Sequence, residues 1–152
     1  GATTSFRPFA NGPSQSMPDI TVRATEFTVG PNGPKAMPAP LPATSAYTYC
    51  VEFSADEALA AGAVELRFSQ PIPFYVDNFL GFPVGAVVPV GYYDRGKGAW
   101  MASSNGVVLK ILSIANGTAT IDTNGDGSAD DKTQIAPLGI QDTKRQSLAT
   151  MY

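Results

Sequence analysis

The chain has 152 residues, a formal net charge of −3, no histidine and one cysteine. Its length allows one domain with a real core. Its acidity, with a pI near 4.7, argues against nucleic acid or anionic membrane as partners, because neither attracts an acidic surface. The missing histidine removes Ser/His/Asp and Cys/His catalysis, histidine bases and histidine zinc sites. No apolar run approaches membrane-spanning length, so no membrane insertion is expected. The N-terminus lacks the charged-then-apolar pattern of a signal peptide, so a secreted form is expected to be a mature or excised fragment. Abundant Gly (15) and Pro (13) beside alternating β-branched and aromatic residues point to an all-β fold.

Residues 1–18 are rich in Gly, Pro, Ser and Asn and read as an irregular entry segment, with a cut strand as the alternative, before a β-sandwich domain over 19–121. Ile20, Val22 and Ala24 alternate, then the phase shifts to Phe27 and Val29, which predicts a strand with a bulge. The proline-rich stretch Gly30 to Ser45 is a loop, its Met37 and Leu41 placed to seal a sheet edge. Tyr47 to Phe53 alternates cleanly and predicts a strand. Cys50 within it has no basic neighbour and reads as a small apolar residue rather than a nucleophile. Ser54 and Glu57 have the spacing of a capping box opening a helical turn that Gly62 ends.

Val64, Leu66 and Phe68 alternate in another strand, and the proline-punctuated PIPFYVDNFLGFP predicts an edge strand or corner. Strands follow at Ala86–Asp94, Gly98–Ala102, Val107–Ala115 and Thr118–Ile121, joined by turns at DRGKG, SSNG and ANG. Short strands at this spacing describe an antiparallel β-sandwich with long proline-rich loops. The remaining segment, 122–152, reads as an acidic loop and a short helix over 142–152. Asp142 or Thr143 caps that helix, and Leu148, Met151 and Tyr152 form its apolar stripe.

The acidic loop DTNGDGSADD carries the most specific chemistry. Asp122, Asn124 and Asp126 stand at positions one, three and five of a glycine-hinged loop, Ser128 can offer a carbonyl, and Asp130 binds directly or through water. That pattern suits a hard cation such as Ca²⁺ in a structural role. Position twelve is Thr133 where an EF-hand has a bidentate Glu. The loop therefore resembles the shorter calcium loops of thrombospondin type 3 and dockerin repeats, with Asp131 or water filling the remaining position. Affinity is then expected at roughly 10⁻⁴ to 10⁻³ M. The alternative is a polar turn whose Asp and Asn side chains bond only their own backbone.

Aromatic residues crowd one third of the chain, including Phe74, Tyr75, Phe79, Phe82, Tyr92, Tyr93 and Trp100. They read first as core and corners. The alternative is a carbohydrate-binding face at Tyr92, Tyr93 and Trp100, since exposed rings stack on sugars. A third reading pairs Asp77 with Asp94 as a glycosidase couple, although nothing in the pattern places them in a shared cleft.

The phrases VRATEFTVGPNGPKAMPAPLPATSAYTYCVEFSADEA, NFLGFPVGAVVPVGYYDRGKGAW and NGVVLKILSI, followed by DTNGDGSADD and LGIQDTKRQSLATMY, run over about Ile20 to Tyr152. Together they resemble a module lying N-terminal to the repeat array of bacterial RHS/YD-repeat proteins. The resemblance implies a noncatalytic accessory β-module of a secreted or bacterial cell-surface protein whose repeats form a shell around a payload. It also implies partners in the other domains of a larger parent, or in a strand contributed by another chain at an open sheet edge.

Overall fold

The computed structural model describes residues 3–9, 11–27, 31–42 and 49–152. The chain divides into two compact units, Gly1–Phe74 and Tyr75–Tyr152, so the division falls within the 19–121 stretch. Every strand pair among the described residues is antiparallel, and the strands form one three-stranded and four two-stranded sheets.

The first unit contains β1 (Thr4–Arg7), β2 (Gln15–Ser16), β3 (Val22–Glu26), β4 (Val51–Ala55), α1 (Asp56–Ala60) and β5 (Glu65–Phe68). The segment read as an irregular entry thus holds two strands. β1 lies between β2 and β5, with Thr4 opposite Phe68 and Arg7 opposite Glu65. The partner is some sixty residues away in sequence, so the glycines and serines around β1 favoured an irregular segment over the alternative of a strand while the sheet that recruits it was out of view. Phe6 and Leu66, opposite one another, pack onto a small core of Met17, Ala55 and Ala58.

β3 pairs with β4 in unbroken register from Val22–Ala55 to Glu26–Val51, so the bulge expected before Phe27 is absent from the described residues. Val29, and the Tyr47 and Thr48 end of the second predicted strand, lie outside them. Within the proline-rich loop, Pro34–Ala36 makes a 3₁₀ turn and Met37 and Leu41 are half-buried; Gly30 and residues 43–45 lie outside the described residues.

The Ser54–Glu57 capping box does not form. Ser54 stays in the ladder opposite Arg23, the cap position falls to Ala55, and no side chain bonds there. Glu57 instead accepts the Thr21 N–H at 2.6 Å and the Thr21 hydroxyl at 2.8 Å, while Arg23 grips Asp56 through two 2.6 Å hydrogen bonds. α1 is thereby tied to the start of β3. Gly62, in the left-handed region, ends it as expected.

The second unit contains β6 (Val87–Val88), β7 (Gly91–Asp94), β8 (Ala99–Ala102), β9 (Gly106–Val107), β10 (Lys110–Ala115), β11 (Thr118–Asp122), α2 (Lys132–Ile135) and α3 (Asp142–Thr150). The expected long strand 86–94 is split at Pro89, which has no N–H to extend a ladder. The hairpin β10–β11 turns on Asn116 and Gly117, both at positive φ, as the two-residue ANG turn requires. No strand forms over 71–83; the Asn78 side chain there closes a turn by bonding both the N–H and the carbonyl of Phe82.

The core of this unit is aliphatic. Ala119 and Ile121 of β11 meet Ile135 of α2, Ile140 of the segment before α3, and Leu148 of α3, with Tyr75, Leu109 and Ile111 at the margin of the cluster. The aromatic core expected from the sequence is therefore corrected: Phe79 and Phe82 are exposed, and of the second unit's rings only Tyr75 borders the buried cluster. Helices α2 and α3 supply the apolar surface instead. The predicted stripe of α3 is also shorter than expected, because the helix ends at Thr150 and Met151 and Tyr152 are 64% and 86% exposed. Its cap position is Gln141, without a side-chain bond, rather than Asp142 or Thr143.

Candidate functional site

The acidic loop begins inside the fold. Asp122 is the last residue of β11, opposite Lys110, and only 2% exposed. Alternation along β11 puts Ile121 into the core, and the chain then turns over the buried Asp122 carboxylate. Its Oδ1 accepts the N–H groups of Gly125 (2.7 Å) and Asn124 (3.1 Å), and its Oδ2 accepts that of Gly127 (2.9 Å). Burial alone would raise its pKa. The three N–H groups and the Lys110 charge outweigh that, and the carboxyl is held below the usual carboxylate range.

The other predicted ligands stand on the loop's outer side. Asn124 donates through Nδ2 to Asp126 Oδ2 at 3.2 Å and to Asp130 Oδ1 at 3.1 Å, so one amide group lies between two carboxylates. Asp126 Oδ1 accepts the Ser128 N–H, and Asp130 Oδ2 accepts both the N–H and the hydroxyl of Thr123. The loop is closed by the Asp130 N–H bonding the Ile121 carbonyl at 2.9 Å. Asp122, Asn124, Asp126, Ser128 and Asp130 are thus brought into one hydrogen-bonded loop.

Among the described residues, no three Asp, Glu or Cys side chains converge as a preformed metal cage. The all-oxygen donor set nonetheless suits a hard cation. Asp122 Oδ2 accepts one protein hydrogen bond and keeps a second lone pair. An ion bound here requires the Asn124 amide to turn away from its present bonds and the Asp126 and Asp130 carboxylates to close in. Asp131, expected as a spare ligand, is engaged elsewhere. Its Oδ1 accepts the N–H groups of Thr133 and Gln134, and Gln134 returns a bond to the Asp131 N–H, a complete capping box at the start of α2. The Asp-x-x-Gln spacing signals this cap in the sequence, but the acidic run hides it. Thr133, at position twelve of the loop pattern, lies in α2.

The loop rests on a contact that sequence reasoning missed. Asn124 and Gly125 pass so close to Val84 and Gly85 that a methyl on Gly85 would lie 2.9 Å from the Asn124 carbonyl oxygen. One on Gly125 would lie 2.7 Å from the Val84 carbonyl oxygen. The only local signal was a glycine in each segment.

The three aromatic candidates share the β7–β8 hairpin but not one face. Tyr93 lies opposite Trp100, their ring centroids 5.4 Å apart in an edge-on arrangement, and both are half-buried. Tyr92 pairs with Met101 on the other face and is 52% exposed. Asp94 is occupied locally, accepting the Lys97 N–H at 3.0 Å. Cys50 is half-buried, and burial, followed by the Glu52 charge, raises its thiol pKa, which disfavours a reactive thiolate.

Comparisons with protein-family models, with curated proteins and with solved structures give no match.

Proposed function

We propose that this chain is a noncatalytic structural or adhesive module whose acidic loop, Asp122 to Asp130, binds one Ca²⁺ of structural rather than signalling kind. The observation that carries the reading is the Asn124 amide standing between the Asp126 and Asp130 carboxylates, above the buried Asp122. Two carboxylates drawn to one donor mark the place where positive charge is favoured. A divalent ion satisfies that demand better than a neutral amide.

The wider setting proposed is a secreted or cell-surface protein of the RHS/YD-repeat kind, supported by the sequence phrases from Ile20 to Tyr152. There the small sheets would be completed into a β-sandwich by neighbouring domains or by a strand from another chain. Each two-stranded sheet has outer edges suited to such addition. Val22 and Phe53, on one face of β3–β4, are exposed, which supports a covering partner. YD repeats downstream in the full-length gene product would support this setting, and their absence would contradict it.

Amide NMR during a Ca²⁺ titration tests the ion. The Gly125 and Gly127 signals should shift along one saturating curve with a midpoint at roughly 10⁻⁴ to 10⁻³ M. Signals that stay fixed to well above that range would refute the ion. Sugar binding at Tyr92, Tyr93 and Trp100 is the second reading. The exposure of Tyr92 favours it, while the placement of Tyr92 on the face opposite the other two weakens a continuous stacking platform. Glycan-array binding lost in a folded Trp100→Ala variant would establish it.

A further inference from the structure

Gly85 and Gly125 both sit in the left-handed region, at φ +83° and +85°. Each presents the bare side of its backbone to the other's segment: added methyls would strike the Asn124 carbonyl from one side and the Val84 carbonyl from the other. Positive φ alone does not account for this, because Gly127 (φ +79°) and Gly117 (φ +70°) have nothing within 4 Å of the same position. On its far side, the Gly85 N–H donates to the Val108 carbonyl at 2.8 Å and the Val108 N–H to the Ala86 carbonyl at 2.9 Å. These bonds continue directly into the Val87–Val107 pair of β6–β9. On the loop side, the Gly125 N–H is held by Asp122 at 2.7 Å. A continuous physical path therefore runs from the buried carboxylate, through two glycines each packed against the residue preceding the other, to a separate sheet.

We propose that the reciprocal packing of Gly85 on Asn124 and of Gly125 on Val84 is a latch through which order in the acidic loop sets the pairing of β6 with β9. A two-residue pair has few hydrogen bonds of its own and gains little protection without a backing surface. The tight carbonyl-to-glycine packing supplies that surface, and only glycine at both positions permits it. The latch deepens the proposed role of the loop, because an ion that orders the loop also orders β6–β9, but it operates without the ion.

Native-state hydrogen exchange by NMR in the presence of chelator tests it with Gly125→Ala against Gly127→Ala. Both variants force an L-residue into a left-handed position, and only the first adds a collision with Val84. The Gly85 and Val108 amides should exchange about tenfold or more faster in Gly125→Ala than in Gly127→Ala, with the Ala61 amide of the first unit unchanged. Asp122→Asn, which weakens the hold on the Gly125 N–H without adding a heavy atom, should accelerate the same two amides and serves where Gly125→Ala does not fold. Equal exchange in the two glycine variants, or Asp122→Asn exchanging at the wild-type rate at both amides, would overturn the latch. Because chelator is present, neither result depends on whether the loop binds Ca²⁺.

Discussion

Arg145 of α3 donates its Nε hydrogen to the carbonyl of Ala119 in β11 at 2.8 Å, across 26 residues of sequence. Ala119 is fully buried and the Arg145 side chain is 19% exposed, so the bond forms largely out of water. The same guanidinium reaches Asp142 at the head of α3, at 3.4 Å. One side chain thus docks the helix on the strand that leads into the acidic loop. Arg145→Ala leaves a buried carbonyl without its donor, and the expected cost is about 1–3 kcal/mol. Urea denaturation measures it; a change below about 0.5 kcal/mol, the range of neutral surface substitutions, would show that the bond contributes nothing.

Leu148 and Met151 separate the core-facing helix from its end. Leu148 is buried against Ile121, Ile135 and Ile140, whereas Met151 lies past the last helical residue in solvent. Leu148→Ala should cost about 2–5 kcal/mol through lost burial and a cavity. Met151→Ala should stay within about 0.5 kcal/mol. Similar losses in both variants would mean that α3 extends its packing to the end of the chain.

The first unit should lose stability in acid through Asp56 and Glu57. Hydrogen bonds from Arg23 hold the Asp56 carboxyl below its ordinary range, and the Thr21 N–H and hydroxyl do the same for Glu57. A carboxyl depressed in the folded state stabilises above its unfolded pKa, and that contribution disappears as pH falls through the folded one. The loss should therefore appear below about pH 4 and be absent above about pH 6. Added salt should weaken the Arg23–Asp56 part, which is exposed, more than the Thr21–Glu57 part, whose donors carry no charge. Denaturation of Glu57→Gln at several pH values checks this: its stability should vary less between about pH 5 and 3 than that of the wild type. An unchanged pH dependence would remove Glu57 from the account.

The parts of this fold that were legible in the sequence are those where local chemistry and final structure agree. Asn116–Gly117 announces its hairpin because both residues must adopt positive φ, and the alternation of Leu66 and Phe68 matches β5. Long-range decisions were hidden. β1 becomes a strand because Glu65–Phe68 pairs with it, and nothing near Thr4 says so. Asp131 looked like a ligand because an Asp in an acidic run serves a cation or a helix N-terminus equally well, and the choice depended on where α2 began. The aromatic residues suggested a core, but it is Ile135 and Leu148 of two short helices that pack on β11. In the candidate site, the ligand pattern was readable and its support was not: the packing of Asn124–Gly125 on Val84–Gly85 joins segments about forty residues apart.

The central claim, a structural Ca²⁺ in the Asp122–Asp130 loop, is tested most directly by thermal unfolding with and without the ion. An ion that binds only the folded state at ten times its Kd stabilises by about 1.4 kcal/mol. For a chain of this length that raises Tm by about 3–6 °C. Millimolar Ca²⁺ should produce that rise in the wild type, and Asp126→Ala should abolish it while still unfolding cooperatively. A wild-type Tm that does not move between chelator and 10 mM Ca²⁺, about ten times the weakest expected Kd, would contradict the account.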